Sequence, residues 1–454
     1  MSWRFAELAG RRVAVWGHGH EGRAALAALR ARLPGQPVTL FCSAAEAGIA
    51  AAGGLQVVTR PPDATALAAF DVVIKSPGIS IYRPEVLAAA QAGVRFTSGT
   101  ALWFGEHPHA RVIAVTGTKG KSTVSALVAH LLRALGRRVA LAGNIGLPLL
   151  ELLDPPQWPD WWVVELSSFQ TREAGPVAVG VLNNLYEEHL DWHGSRARYA
   201  ADKLALTAVA RRLVVNAWQP ELLERTAGHP DRHPFGEADG WHPREGAIWR
   251  AGKSILERAC LPLPGAHNAA NLCAALAAVE AAGEDACAAA AAVASFQPLP
   301  HRLQTLGEHD GRTWIDDSIA TTPQATLEAL ASLRPGCTTV LVGGFDRALD
   351  WRPFAQRVRD DPPHAIVTMG ANGPRIHARL TATGGDYRLQ AAGSVADAVQ
   401  AARTLTPTGG VVLLSPGAPS FDQYANYAER GRHFAALAGF DPAMIGSIQG
   451  LGIA

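Results

Sequence analysis

The chain has 454 residues, 48% hydrophobic and 18% charged, with a formal net charge of +1. That describes a globular protein of about three domains at ~150 residues each, and the lack of a basic block argues against a nucleic-acid partner. Five scattered cysteines without a CxxC pair argue against a disulfide framework or a zinc site, and the absence of a signal core or an apolar run of ~18 residues predicts a cytoplasmic protein with no membrane span.

In chain order, Arg12–Trp16 reads as a strand, Gly17-His18-Gly19-His20-Glu21-Gly22 as a loop, and Arg23–Leu33 as a helix. This is the GxGxxG dinucleotide fingerprint. The second strand, Val38–Phe41, ends in Cys42-Ser43 and offers no carboxylate for a ribose. A phosphate-bearing ligand other than NAD is expected, with Gly19 a candidate contact; the alternative is a tight turn that only packs the helix. Phe70–Ile74 reads as a buried strand ending in Lys75-Ser76-Pro77-Gly78-Ile79. Open α/β sheets bind ligands at that edge, so Ser76 and Gly78 are candidate contacts.

Val112–Val115 is an apolar β-branched strand, and Val124, Leu127, Val128, Leu131 and Leu132 recur at helical spacing. Between them lies Thr116-Gly117-Thr118-Lys119-Gly120-Lys121-Ser122-Thr123. Strand, glycine loop and helix make a phosphate cradle, because amide N–H groups and the helix dipole face the anion. Lys121 can reach terminal phosphates and Ser122 can hold Mg²⁺. The loop is shorter than GxxxxGK[ST]. Further strands are read at Arg138–Ala142, Trp161–Val164 and Val177–Leu182. Asn144 follows the first. Glu165 ends the second, where a carboxylate can complete Mg²⁺ coordination. The third leads to His189, for which a metal or phosphate role is expected beside such a loop. Lys203 reads as a helical lysine, the alanine tract 288–292 as buried helix, and the polar residues from Gly265 to Asn271 as caps of an alanine-rich helix. Pro298–Pro300 reads as a linker. Strands at Trp314–Ile315, Thr338–Val342, Ala365–Thr368 and Val411–Leu414, alternating with helical segments, predict a parallel sheet.

TGTKGKST, GNIGLPLL, VVELSSFQ, NNLYEEHLDWH, YAADKLAL, GAHNAANLCAALAA, LPHRL, WIDDSIATT and LLSPGAPSFDQYANYAERG occur in this order over nearly the whole chain. Together they resemble the MurD family of Mur ligases, which build the peptide stem of bacterial peptidoglycan. The resemblance implies an α/β fold of three domains. These are an N-terminal Rossmann-like domain for the UDP substrate (1–105), a central P-loop ATPase-like domain (106–300) and a C-terminal Rossmann-like domain for the amino acid (301–454). It implies that ATP phosphorylates the carboxylate of UDP-N-acetylmuramoyl-L-alanine and that the glutamate amine then displaces phosphate. Catalytic roles fall on Lys121, His189 and Lys203. The nucleotide is assigned to Gly117, Thr118, Lys119, Gly120, Lys121, Ser122, Thr123, Asn268, Asn271, Arg302 and Asp317, and the substrates to Gly19, Ser76, Gly78, Asn144, Arg347, Ser420 and Tyr427. Two Mg²⁺ ions are implied, with Ser122 and Glu165 serving one and His189 the other, where a carbamylated Lys203 supplies an oxygen. Arg347 can grip a carboxylate with two hydrogen bonds. A monomer is expected, with hinge closure over substrates.

The departures gather around the amino acid. Ile319 stands where the family's D-glutamate enzymes carry lysine, Arg347 replaces the lysine after the glycine pair, and Tyr427 replaces a common phenylalanine. Arginine and lysine are not interchangeable at a carboxylate site. Cys42-Ser43 also departs on the uridine side. The favoured expectation is the branch that adds L-glutamate and leaves inversion to a separate epimerase. The alternatives are ligation of D-glutamate, another amide ligase such as a folylpolyglutamate synthase, a non-catalytic nucleotide-binding regulator, and a nicotinamide dehydrogenase.

Overall fold

Strand Val112–Thr116 is buried at every residue, as its run of β-branched side chains requires once both sheet faces are covered. In a computed structural model of the chain, which describes all residues except 1–2, 45, 48–54, 264, 348, 447 and 449, this strand is the centre of a seven-stranded sheet. The described residues divide into two units, 1–296 with 450–454, and 297–449.

The first unit holds three sheets. Strands β1 (Val13–Trp16), β2 (Val38–Phe41), β3 (Gln56–Val58), β4 (Val72–Lys75) and β5 (Arg95–Thr97) form a parallel sheet in the order β3-β2-β1-β4-β5. Strand order reverses between β1 and β4, which makes the topological switch point at which open α/β sheets form a crevice. The large sheet contains β6 (Val112–Thr116), β7 (Val139–Gly143), β8 (Trp161–Glu165), β9 (Val177–Leu182), β10 (Ala210–Asn216) and β11 (Arg232–Phe235), in the order β11-β10-β9-β6-β8-β7. Strands β12 (His242–Arg244), β13 (Ala247–Arg250) and β14 (Lys253–Glu257) make a small antiparallel sheet. The second unit carries β15 (Gln304–His309), β16 (Arg312–Asp316), β17 (Thr338–Val342), β18 (Ala365–Thr368), β19 (Arg388–Ala391) and β20 (Val411–Leu414), in the order β15-β16-β20-β17-β18-β19. The last strand, β21 (Gly452–Ile453), pairs antiparallel with β7.

Helices cover the sheets. Helix α1 (His20–Arg32) follows the GxGxxG loop, and α2 (Lys121–Ala134) follows the phosphate loop and buries Val124, Leu127, Val128, Leu131 and Leu132. Burying five such side chains stabilises the layer by roughly 1.5–3 kcal/mol each. Helix α3 (Arg196–Leu204) carries Lys203, α4 (Ala266–Ala281) packs on α2, and α5 (Tyr427–Ala438) covers the second unit's sheet. No helix among the described residues is long and apolar enough to cross a membrane.

Several expectations need correction. Helix α1 starts inside the fingerprint, at His20 rather than Arg23, because Gly19 already serves as its extended N-cap. The sheet of the second unit is not wholly parallel, since β15 runs antiparallel to β16. The segment 450–454 belongs to the first unit and not to the C-terminal stretch. The alanine tract is only partly buried, with Ala288 exposed. The polar residues opening α4 do not cap it: Gly265 is the N-cap and no side chain bonds there.

The seam between the first two sheets gathers acids. Burial, then the neighbouring Glu173 and Glu151, push the Glu21 carboxyl up to about 7. A carboxyl raised above its unfolded value near 4.5 contributes stability at low pH that is lost as pH rises toward 7. Glu21→Gln is therefore expected to stabilise the protein by about 2 kcal/mol at pH ~8 and to leave it unchanged at pH ~4. Denaturant titrations at the two pH values measure it.

Candidate active site

The phosphate loop is fixed by side chains from two later segments. Two consecutive asparagines leave β9. Asn184 takes the Lys119 N–H on Oδ1 at 2.8 Å, and its Nδ2 donates to Lys119 O at 3.0 Å. Asn183 Nδ2 donates to the same carbonyl at 3.0 Å and to Asn271 Oδ1 at 2.9 Å. Asn271 Nδ2 in turn donates to Asn268 Oδ1 at 3.2 Å. Gly120 sits at φ +75° among these amides, and a Cβ there would run into Asn271 Oδ1, so only glycine fits. The Thr118 hydroxyl lies 2.6 Å from the Tyr199 hydroxyl and receives the Tyr186 N–H at 2.8 Å. Lys121 Nζ donates to Thr118 O at 2.9 Å. The loop's form is thus set before any anion arrives, and the first N–H groups of α2, which include those of Ser122 and Thr123, have no partner within the helix.

Beside this loop lie Glu165, Asn144, Lys203, Glu188 and His189. Glu165 is 1% exposed; its Oε1 accepts from Asn144 Nδ2 at 2.7 Å, and its Oε2 is buried without a hydrogen bond. A buried carboxylate oxygen without a donor is costly unless a cation meets it. Lys203 is 3% exposed and its Nζ donates to Gly117 O at 2.6 Å. Burial, and then Lys121, hold this amine well below the ordinary lysine value, against the pull of Glu188 and Glu165. Burial raises the Glu188 carboxyl, but Lys119, His189 and Lys121 bring it below its usual value; Lys119 Nζ lies 3.3 Å from it. Burial holds the His189 imidazole low against Glu188. His189 itself sits in the left-handed region at φ 55°, which for a non-glycine residue is a held conformation. Among the described residues no three His, Cys, Asp or Glu side chains gather as a metal cluster. Mg²⁺ does not need such a cage, since it takes one or two carboxylates, substrate phosphates and waters. The orphaned Glu165 oxygen fits that donor set.

At the first sheet's crevice, Gly19 caps α1 and Ser76 follows β4. A Cβ at Gly17 would lie 2.5 Å from Ser76 Oγ, so Ser76 faces the fingerprint loop, and its hydroxyl is buried without a hydrogen bond. Gly78 is exposed. The preceding Lys75 is 2% exposed, and its Nζ stands 3.5 Å from Glu173 without a hydrogen bond.

Two groups form in the second unit. Asp317 Oδ2 accepts from Ser415 Oγ at 2.7 Å and Oδ1 from the Leu303 N–H at 3.1 Å. Burial pushes this carboxyl up to about 7, against the pull of Ser415 and the charge of Arg302. In the other group, the loops after β17 and β20 are joined by Gly343 N donating to Pro416 O at 2.7 Å and Phe345 N to Pro419 O at 2.9 Å. Ser420 is buried there, Arg347 is exposed, and Tyr427 opens α5 half-buried.

Sequence reasoning missed Asn183, Asn184, Tyr199, Glu188 and Arg430 as parts of these arrangements. It also missed Asp202, whose carboxylate is bonded by Tyr82, Arg172 and His193. Only the paired asparagines directly after a strand carried a readable signal.

Two family models match the chain, the Mur ligase middle domain over residues 115–279 and the Mur ligase glutamate ligase domain over 301–417. A protein of Xanthomonas campestris pv. campestris (strain 8004) named UDP-N-acetylmuramoyl-L-alanine–L-glutamate ligase is 54% identical over 467 residues, covering 99% of this chain and 100% of the relative. Proteins of the same name are 52% identical in Xylella fastidiosa (strain 9a5c), over 99% and 100% of the two chains, and 39% in a Micromonospora strain, over 95% and 97%. Among solved structures, the UDP-N-acetylmuramate–alanine ligase of Thermotoga maritima aligns at TM-score 0.58 with 20% identity over 94% of this chain and 98% of that one. The MurF ligase of the same organism, in complex with ADP, aligns at 0.57 with 16% identity over 94% and 93%. These two likenesses speak to the α/β fold alone. On the matched family models and the full-length relatives at more than half identity, the chain belongs to the Mur ligase family, enzymes that form an amide bond.

Proposed function

We propose that this chain joins L-glutamate to UDP-N-acetylmuramoyl-L-alanine, using ATP and an acyl-phosphate intermediate. The observation that carries the reading is the convergence on one phosphate loop of Lys121, a Glu165 oxygen without a hydrogen bond among the described residues, and a buried Lys203 held against Gly117 O. In the first step a carboxylate oxygen of the acceptor attacks the γ-phosphorus and ADP leaves. In the second the glutamate amine attacks the acyl carbon, loses a proton, and phosphate leaves with the original carboxylate oxygen. Phosphoryl transfer needs positioning and neutralised charge more than covalent help from the protein. The loop amides of residues 117–123 and the Lys121 ammonium would supply both. Mg²⁺, when bound, would add charge neutralisation on the phosphate oxygens, held by Ser122 and Glu165 at one position and by His189 and Lys203 at the other. Lys203 suits that place once its neutral amine adds CO₂ and releases a proton, because the carbamate turns a nitrogen donor into an oxygen ligand.

The remaining assignments belong to the same proposal. They are a three-domain division at about 105 and 300, the acceptor on Gly19, Ser76, Gly78 and Asn144, the nucleotide on Asn268, Asn271, Arg302 and Asp317, and glutamate on Arg347, Ser420 and Tyr427. The preference for the L enantiomer is supported by the names of the relatives and by Ile319 and Arg347 in place of two lysines. Enantiomers present the same groups in mirror order, so a moved cation is the expected adjustment. Ligation assayed with pure enantiomers is expected to favour L- over D-glutamate by about 100-fold or more, since a site built for one set of hydrogen bonds leaves groups unpaired with the other. A preference for D-glutamate would overturn the assignment.

A further inference from the structure

Asp202 precedes Lys203 on α3 and is 1% exposed. Three chain segments meet on its carboxylate. The Tyr82 hydroxyl donates to Oδ1 at 2.8 Å and lies 3.0 Å from Oδ2. Arg172 Nε donates to Oδ1, and His193 Nδ1 lies 2.6 Å from Oδ2. The buried His193 places its other nitrogen 3.0 Å from Ser168 Oγ, three residues beyond Glu165. Thr171 Oγ1 donates to the Asp202 carbonyl at 2.6 Å. Consecutive helical side chains point ~100° apart, so holding Asp202 fixes the rotation of α3 and with it the direction of Lys203, whose Nζ meets Gly117 O on the other side.

Tyr82 brings in the acceptor side. It ends the loop that begins at Ser76 after β4. That loop is also tied to the His189–His193 turn by two bonds: Ser80 Oγ donates to Trp192 O at 2.6 Å, and Trp192 Nε1 donates to Pro77 O at 3.0 Å. The loop carrying Ser76 and Gly78 and the helix carrying Lys203 are therefore joined through one buried carboxylate.

We propose that Asp202 is a positioning residue for Lys203, and that the Tyr82–Asp202 hydrogen bond couples the 76–82 loop to the placement of the Lys203 amine. The inference rests on the reading of Lys203 given under Proposed function. Partners that orient a metal ligand, without touching the metal, typically change affinity or activity 10- to 100-fold when removed. Tyr82→Phe keeps the ring, over which Arg198 lies 4.8 Å from the centroid, and removes only the hydroxyl.

The test compares wild type, Tyr82→Phe, Asp202→Asn and, as a control for ring packing, Arg198→Met. Two readouts are taken: steady-state kinetics, and the carbamate carbon resonance of metal-free protein titrated with ¹³C-labelled CO₂. Tyr82→Phe is expected to lower kcat about tenfold, to leave KM for ATP within about twofold, and to raise the CO₂ needed for half-occupancy of Lys203 about tenfold. Extra bicarbonate should restore much of its rate, Asp202→Asn should be affected more, and Arg198→Met should match wild type. A Tyr82→Phe protein with wild-type kcat and wild-type CO₂ uptake overturns this inference alone. So does lost activity that bicarbonate does not restore while CO₂ uptake is normal. A wild type that ligates glutamate yet never takes up CO₂ at Lys203 overturns the carbamate reading, and the inference falls with it.

Discussion

Lys203→Ala is expected to lower ligation about 10³-fold, the upper range for removing one group that stabilises transition-state charge, while ADP binding changes little. The amine is buried, its one hydrogen bond among the described residues goes to Gly117 O at 2.6 Å, and burial and Lys121 hold it well below the ordinary lysine value. A structural lysine would gain nothing from a lowered value against a phosphate loop; a lysine that adds CO₂ has to give up its proton first. Removing the side chain leaves Gly117 O without that donor, at about 1 kcal/mol, too little to unfold the unit. Formate or acetate is small enough to take the carbamate's place, so either should restore the variant's rate about tenfold, whereas chloride at equal ionic strength should not. The pH dependence has a fixed sign. Because the folded value lies below the unfolded value near 10.5, the unfolded chain binds more protons in between. Stability there rises with pH and is lost as pH falls toward the folded value. Activity follows the same direction, since an ammonium does not add CO₂. Substitution with methionine should flatten that stability profile.

The second large effect is expected at Arg430, in the second unit. This guanidinium is 1% exposed and, among the described residues, has no carboxylate in hydrogen-bond reach. Its Nε donates to Ser318 Oγ at 3.0 Å, Nη1 to Pro419 O at 3.2 Å, and Nη2 to Ser318 O at 2.8 Å and Ala418 O at 3.0 Å. Burial pushes the group down to about 10, with Asp422 and Asp316 pulling it up, so it is charged at neutral pH. Arg430→Met removes a buried charge, which returns desolvation energy, but strands the carbonyls of Ser318 and Ala418 at about 1–3 kcal/mol each, while Pro419 O keeps the Phe345 N–H. The second effect is the larger, and a net loss of about 2–4 kcal/mol is expected in the second unit's unfolding transition, followed by denaturant titration. The same fork ties the loop before Ser420 to the end of β16. KM for glutamate should therefore rise about tenfold in Arg430→Lys, because a point charge cannot span four acceptors. An Arg430→Met protein as stable as wild type would show that these contacts contribute nothing net.

The strands at 177–182, 338–342, 365–368 and 411–414 have the bounds that apolar β-branched runs give, because strands buried on both faces leave an unbroken apolar signal. Strand β15 gave none. Its residues Gln304–His309 are mostly polar, and the register shifts between Thr305 and Gly307. The start of α1 was hidden because glycines in a fingerprint read as loop, although Gly19 is already the cap. The same limit applies at the site. Glu165 and the phosphate loop could be read from local order, since each directly follows a strand. Asn271 looked like a cap because its partner, Asn183, stands 88 residues away. Arg430 carried no local signal, since its acceptors lie 11 to 112 residues back along the chain. Asp202 and His193 were passed over for the same reason, as the contact that defines their role reaches Tyr82, 120 residues earlier.

The central claim is that this phosphate loop makes a carboxylate accept phosphate before an amine attacks it. It is tested most directly by labelling both carboxylate oxygens of UDP-N-acetylmuramoyl-L-alanine with ¹⁸O and following one round of ligation with L-glutamate. The account predicts one labelled oxygen in each inorganic phosphate released, none in ADP, and no phosphate release without the acceptor. Unlabelled phosphate accompanying full ligation would contradict it.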